Sequence, residues 1–138
     1  MAVVIAIGVR ETGERTILDV DVGGSEEAAF WTSFLRRLVE RGRRGVELAI
    51  SDAHLGVQEA IRTVLTDAAW QRCRVHTMRN ILAHVPSRDK RMVAAAIRTI
   101  FAPPTLAEAR RQLREVLPPL GRAGRKRLRC WKVLRTMC

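Results

Sequence analysis

Asp52 is the residue with the clearest chemical option. It follows the apolar stretch Val46 to Ser51 in VELAISDAHLG. A carboxylate at the C-terminal end of a buried strand projects where the chain leaves the sheet, a good place to hold Mg2+. Phosphoryl-transfer sites often use two metal ions, one activating the attacking oxygen and one stabilising the leaving oxygen. They need several carboxylates converging from separate elements, which one aspartate cannot supply. The competing reading makes Asp52 the N-cap of the following helix, and spacing alone favours that cap. Asp19 and Asp21 share one face of a predicted strand beside a turn, where aspartates usually face solvent, so neither is assigned a catalytic role.

Cys73 and His76 form a C-x-x-H pair, with His54 and His84 elsewhere. Zinc sites take about four ligands, usually as two close pairs, and no convincing second pair is present. A lone cysteine is more often a small buried hydrophobe, so zinc is not expected. Arg72, Arg74 and Arg79 surround Cys73 and could meet phosphates, or could equally form a solvated surface. Trp31 and Trp70 are core candidates on periodicity rather than stacking platforms for bases.

These residues need elements to position them. Ala2 to Val9 is a β-rich run, Glu11 to Glu14 a turn, and Arg15 to Val22 alternates, predicting a β-hairpin. In strict alternation Thr16, Leu18, Val20 and Val22 share one face and Ile17, Asp19 and Asp21 the other. Ser25 is placed to cap a helix, with Glu26 and Glu27 in its first turn. Trp31, Phe34, Leu35 and Leu38 would be its apolar stripe, and Gly42 or Gly45 its end. Val46 to Ser51 reads as a strand, roughly Leu55 to Leu65 as a helix, and Trp70 to His76 as another strand. From Thr77 the pattern is helical, interrupted at Pro86 and at Pro103-Pro104. Thr105 and Glu108 have capping-box spacing. The order β-β-α-β-α-β followed by helices predicts a mixed sheet with helices packed on it.

The chain has 138 residues, enough for one domain with a modest core. It carries 25 Lys+Arg against 14 Asp+Glu, which points to a polyanionic partner, most plausibly nucleic acid. Seven of the basic residues and none of the acidic ones fall between Pro118 and Cys138, so the rest of the chain is only mildly basic. That final stretch lacks a sustained amphipathic period and reads as irregular. Three cysteines without framework spacing suit a reducing cytoplasm. No long uncharged apolar run or secretory signal is evident, so neither a membrane span nor export is expected.

Taken together, the segments resemble the catalytic domain of Mutator-type bacterial insertion-sequence transposases. The resemblance runs from about residue 2 to residue 117. It is carried most specifically by S-D-x-H-x-G at Ser51, Asp52, His54 and Gly56, followed by W-Q-R-C-x-V-H-x-x-R-N from Trp70 to Asn80. It implies an α/β fold: an incomplete RNase H-like mixed sheet with packed helices, then a helical segment and a basic irregular tail. The expected divisions are a partial catalytic core over 1–85, the start of a helical insertion over 86–117, and a basic tail over 118–138 from a shifted reading frame.

The family's Asp-Asp-Glu set binds divalent metal, Mg2+ or Mn2+, and Asp52 matches its second member, which turns the balance at this residue from cap to metal ligand. His54, Cys73 and His76 match motif positions near that site. The resemblance puts the first aspartate before the hairpin and the glutamate after the insertion, so this chain alone is expected not to cleave DNA. The implied partners are DNA, as insertion-sequence ends and target, and a second copy or a full-length transposase. The alternative is a non-catalytic basic remnant that binds nucleic acid or pairs with a transposase.

Overall fold

A computed structural model describes residues 2–23 and 27–122. Two compact units divide the chain, Met1–Gln71 and Arg72–Cys138. The order of elements through the fourth strand is the one predicted.

In the first unit β1 (Ala2–Val9) and β2 (Arg15–Gly23) form an antiparallel hairpin closed by Gly13 at φ 82°. The register shifts between Ala6 and Ile7. Ala6 pairs with Asp19 but Ile7 pairs with Ile17, leaving Leu18 as an extra, bulged residue. A bulge reverses the side-chain alternation beyond it. Strict alternation therefore fails in β2. Leu18, Asp19 and Asp21 turn toward the helical layer, while Ile17, Val20 and Val22 turn outward. Gly8 makes room for this, since a Cβ there would lie 2.9 Å from a Leu18 methyl carbon.

The first helix, α1 (Ala28–Glu40), begins later than Ser25 predicts. Glu27 holds the N-cap position without a side-chain cap, and Ser25 and Glu26 lie outside the described residues. Its end follows the prediction. Gly42, at φ 86°, donates its N–H to the Val39 carbonyl, and Arg43 donates to the Leu38 carbonyl. These two bonds make a Schellman motif, whose left-handed position favours glycine.

Beyond it come β3 (Leu48–Ser51), α2 (Leu55–Val64) and β4 (Ala69–Arg72). Phe34, Leu35 and Leu38 of α1 and Val57, Ala60 and Ile61 of α2 form the buried cluster. Val4, Ala6 and Leu18 of the hairpin, Ala49 of β3, and Trp31 and Trp70 pack against it. Both tryptophans thus serve the core. The strands do not join into one mixed sheet: among the described residues β1 pairs with β2, and β3 with β4, as separate two-stranded sheets on the same helical cluster. No described strand bridges them with ladder bonds.

β4 ends at Arg72 rather than His76, and α3 (Arg74–Ala83) starts at once. Thr77 explains the early turn. Its N–H and hydroxyl each donate to the Cys73 carbonyl at 3.0 Å, and a threonine only 1% exposed needs those partners. A 3-10 turn at Ser87–Asp89 leads into α4 (Lys90–Ile100), and α5 (Leu106–Arg122) follows. The second unit's cluster is Ile81, Val93, Ile97, Ile100 and Leu113. The Glu108 N–H donates to the Thr105 hydroxyl oxygen at 3.3 Å, and that hydroxyl donates to the Glu108 carboxylate at 2.8 Å. Glu108 so reaches the cap's hydroxyl rather than its backbone N–H.

The irregular reading from Pro118 is corrected as far as Arg122, where the helix continues. A proline's fixed φ is itself helical, so the backbone can run through Pro118 and Pro119 at the cost of their N–H bonds. The rest of the tail lies outside the described residues. No helix among those described is long and apolar enough to cross a membrane.

Candidate active site

Asp52 stands immediately after β3, exposed, with its backbone held by side chains of the sheet. The Trp70 indole N–H donates to Ser51 Oγ at 2.9 Å, and the Ser51 hydroxyl donates to the Asp52 carbonyl at 2.8 Å. Trp70 belongs to β4 and packs on the buried cluster, so this chain of bonds ties the end of β3 to the core. One serine oxygen, accepting from one neighbour and donating to the other, fixes where the Asp52 carboxylate leaves the sheet.

Asp52 is not the cap of α2. That position is His54, whose Nδ1 accepts the Gly56 N–H at 3.2 Å. Because Nδ1 accepts, a neutral His54 carries its proton on Nε2. Asp52 Oδ1 in turn accepts the His54 N–H at 3.2 Å, a short Asx-type turn that orders the approach to the helix. The cap reading fails because the helix starts at Leu55, which puts the capping position two residues beyond Asp52.

Carboxylate oxygens are suitable ligands for a hard divalent cation, and the exposed end of β3 presents one carboxylate. Among the described residues no group of three or more His, Cys, Asp or Glu side chains could hold a metal ion. Asp52 therefore fits as a single ligand, and the described residues do not form a metal site by themselves.

Two other aspartates of the first unit, Asp19 and Asp21, are committed to the fold. The Arg37 guanidinium pairs with Asp21, and Arg41 Nη1 lies 3.3 Å from Asp19 Oδ1. Arg37 Nε is 4.0 Å from Asp19 Oδ2. The Asp21 carboxyl is held below its ordinary value of 3.8, first by the Val22 backbone N–H and then by Arg37. The expectation that both simply face solvent is corrected, because the bulge at Leu18 turns them toward α1 and its arginines.

In the second unit Cys73 is a half-buried free thiol at the N-cap position of α3, and its side chain makes no cap bond. His76 is exposed within the first turn of the same helix. The three arginines differ in setting. Arg72 is half-buried and its Nε finds no hydrogen-bond partner. Arg74 places its guanidinium 5.9 Å from the Phe101 ring centroid, while Arg79 is exposed on α3. His84 closes α3, with Nδ1 2.8 Å from the Asn80 carbonyl. Sequence reasoning overlooked the Ser51–Trp70 bond and the capping role of His54. Serine and tryptophan nineteen residues apart carry no local signal, and histidine is not among the favoured N-caps.

The family described as Transposase, Mutator family, matches residues 1–133, which extends past Leu117, where the resemblance read from the sequence stops. The chain is 43% identical over 112 residues to the transposase for insertion sequence element ISRM5 of Rhizobium meliloti (strain 1021), covering 81% of this chain and 28% of that protein. It is 42% identical over 97 residues to the transposase for insertion sequence element IS256 in transposon Tn4001 of Staphylococcus aureus, covering 70% and 25%. Against the transposase for insertion sequence element IS1081 of Mycobacterium tuberculosis (strain ATCC 25618 / H37Rv) it is 40% identical over 116 residues, covering 84% and 28%. The chain thus spans about a quarter of the length of the curated relatives it matches. With the family matched over nearly its whole length, this chain belongs to the Mutator family of transposases.

Proposed function

We propose that this chain supplies the Asp52-bearing part of an RNase H-like catalytic core that cuts and joins DNA at the ends of an insertion sequence. The observation that carries the reading is the position of Asp52, exposed at the end of β3 and relieved of helix capping by His54. The backbone beneath it is tied to the core through Ser51 and Trp70, as a ligand that must hold its place requires. Two two-stranded sheets resting on one helical cluster suit the larger mixed sheet of such a core, joined by a strand from outside the described residues.

Asp52 would hold Mg2+ or Mn2+ together with carboxylates from beyond the described residues. When bound, the metal supplies charge stabilisation and activation of the attacking oxygen. His54, Cys73 and His76 would act as positioning elements of the motif, and Arg74 and Arg79 would meet the phosphate backbone. With one carboxylate of the set, the chain by itself would give no strand cleavage. The test is a chimera in which this segment replaces the matched segment of a full-length relative. Excision of a marked element should be retained by the chimera and abolished by Asp52→Asn. Excision at the same level in the Asp52→Asn chimera would remove the catalytic reading.

The exposed arginines of α3 also favour a second reading, in which the chain binds nucleic acid without cutting it. Salt-sensitive, sequence-independent binding would then be measured for the chain alone, and the active chimera would not be obtained.

A further inference from the structure

Asp52, Ala53 and His54 connect the end of β3 to the start of α2, and a side chain holds a backbone group of each. The Ser51 hydroxyl donates to the Asp52 carbonyl, the Gln58 amide donates to the Ala53 carbonyl at 3.1 Å, and Asp52 Oδ1 accepts the His54 N–H. Of these three bonds, the first is itself oriented from another strand, by the Trp70 indole of β4. An indole N–H can only donate, and a hydroxyl carries a single proton. With the Trp70 N–H occupying a lone pair of Ser51 Oγ, that proton is directed to the Asp52 carbonyl. Burial alone does not dictate this bond. Trp31 packs on the same cluster, and its buried Nε1 has no hydrogen-bond partner among the described residues. The cluster thus carries one indole N–H without an acceptor and aims the other at the residue before the exposed carboxylate.

We propose, resting on the reading of Asp52 as a metal ligand, that Ser51 and Trp70 are positioning residues for metal binding. The relay from indole to hydroxyl to carbonyl sets the backbone from which the carboxylate leaves β3, and so the strength with which Asp52 holds a divalent cation. Serine and tryptophan are both uncharged, so neither attracts a cation or alters the net charge of the site. Whatever they contribute to metal binding passes through the placement of Asp52. Removing an outer hydrogen bond that orients a metal ligand typically costs about 10–100-fold in metal affinity or activity. Here the bond reaches the backbone of the ligand rather than its carboxylate, so about tenfold is expected. Both residues belong to one relay, so the effects of removing them should not add.

The test compares Ser51→Ala, Trp70→Phe and Ser51→Thr in the full-length chimera. Alanine removes the hydroxyl, phenylalanine keeps an aromatic ring in the cluster without the N–H, and threonine keeps the hydroxyl. Two quantities are read. One is Mn2+ affinity from the paramagnetic resonance of the free ion, counting the binding that Asp52→Asn removes. The other is the Mg2+ concentration giving half-maximal strand cleavage. Both should weaken about tenfold in Ser51→Ala and in Trp70→Phe, no further in the double variant, and return close to wild type in Ser51→Thr. DNA affinity without metal should not move. Ser51 lies outside the buried cluster, so the alanine and threonine variants decide the matter even where Trp70→Phe unfolds the unit. Metal affinity unchanged in Ser51→Ala, with or without a loss of cleavage at saturating Mg2+, would overturn the proposal. So would a Ser51→Thr variant as weak as Ser51→Ala. Metal binding and cleavage that both survive Asp52→Asn would remove the Asp52 reading and the relay with it, whereas their loss there beside an unshifted Ser51→Ala would remove the relay alone.

Discussion

Phe34→Ala should come close to unfolding the first unit. The ring is 2% exposed and lies between the hairpin side and α2 in the buried cluster. It meets Trp31 edge-on at 6.4 Å between centroids and stacks on Phe30 at the same separation. Arg37, which also holds Asp21, places its guanidinium 5.5 Å from the same ring centroid. A buried aromatic side chain removes about 150–250 Å2 from water. At about 25 cal/mol per Å2 that is worth roughly 4–6 kcal/mol as an upper bound. Truncations of buried Phe to Ala cost about 3–5 kcal/mol once partial collapse of the cavity is allowed for. A unit of this size is expected to have only about 4–10 kcal/mol of total stability. Removing the ring therefore takes a large share of it. The assay is urea unfolding followed by tryptophan fluorescence in a Trp131→Phe background, so that Trp31 and Trp70 report on the cluster they pack against. A loss below about 1 kcal/mol would refute the claim that this ring is the keystone of the first unit's core.

Three further outcomes follow from the same geometry. Ile97→Ala, at a residue with no exposed surface in the second unit's cluster, should cost about 2–5 kcal/mol, read by circular dichroism in urea. His54→Ala should lose the cap of α2 at about 0.5–2 kcal/mol, whereas His54→Asn, which offers a side-chain oxygen to Gly56, should lose little. Asp21 has a folded-state pKa held below 3.8, so it binds fewer protons folded than unfolded. Its contribution is present above that value and is lost as the pH falls through the folded-state pKa. Acid titration of Asp21→Asn should accordingly show a shallower loss of stability below about pH 4 than the wild type, and equal acid limbs would contradict the Arg37 pairing.

Much of this structure was legible in the sequence because its signals are local and periodic. The stripe of Phe34, Leu35 and Leu38 announced the buried face of α1, and Gly42 announced its end. Thr105 and Glu108 marked the head of α5. The failures share a different cause. The bulge at Leu18 depends on how two strands pair, so the alternation in β2 assigned its side chains wrongly beyond that point. Asp19 and Asp21 were misplaced for the same reason, as their arginine partners come from a helix sixteen or more residues away. The strand from Trp70 stopped at Arg72 because Thr77 draws the chain into a helix through the Cys73 carbonyl, a preference that alternation cannot register. At the candidate site, motif spacing pointed to Asp52 and His54. Their division of labour, carboxylate left exposed and imidazole capping, needed the actual start of α2.

The central proposal is that Asp52 is a metal-binding carboxylate, and the most direct measurement is manganese-induced broadening of amide resonances of this segment, isotopically labelled within the full-length chimera that supplies the other carboxylates. The account predicts that substoichiometric Mn2+ broadens the amides from Ser51 to Gly56 first, and that Asp52→Asn removes this localised effect while leaving the rest of the spectrum intact. Broadening at those amides that persists undiminished in Asp52→Asn, or a wild-type segment broadened only at sites remote from β3, would contradict it.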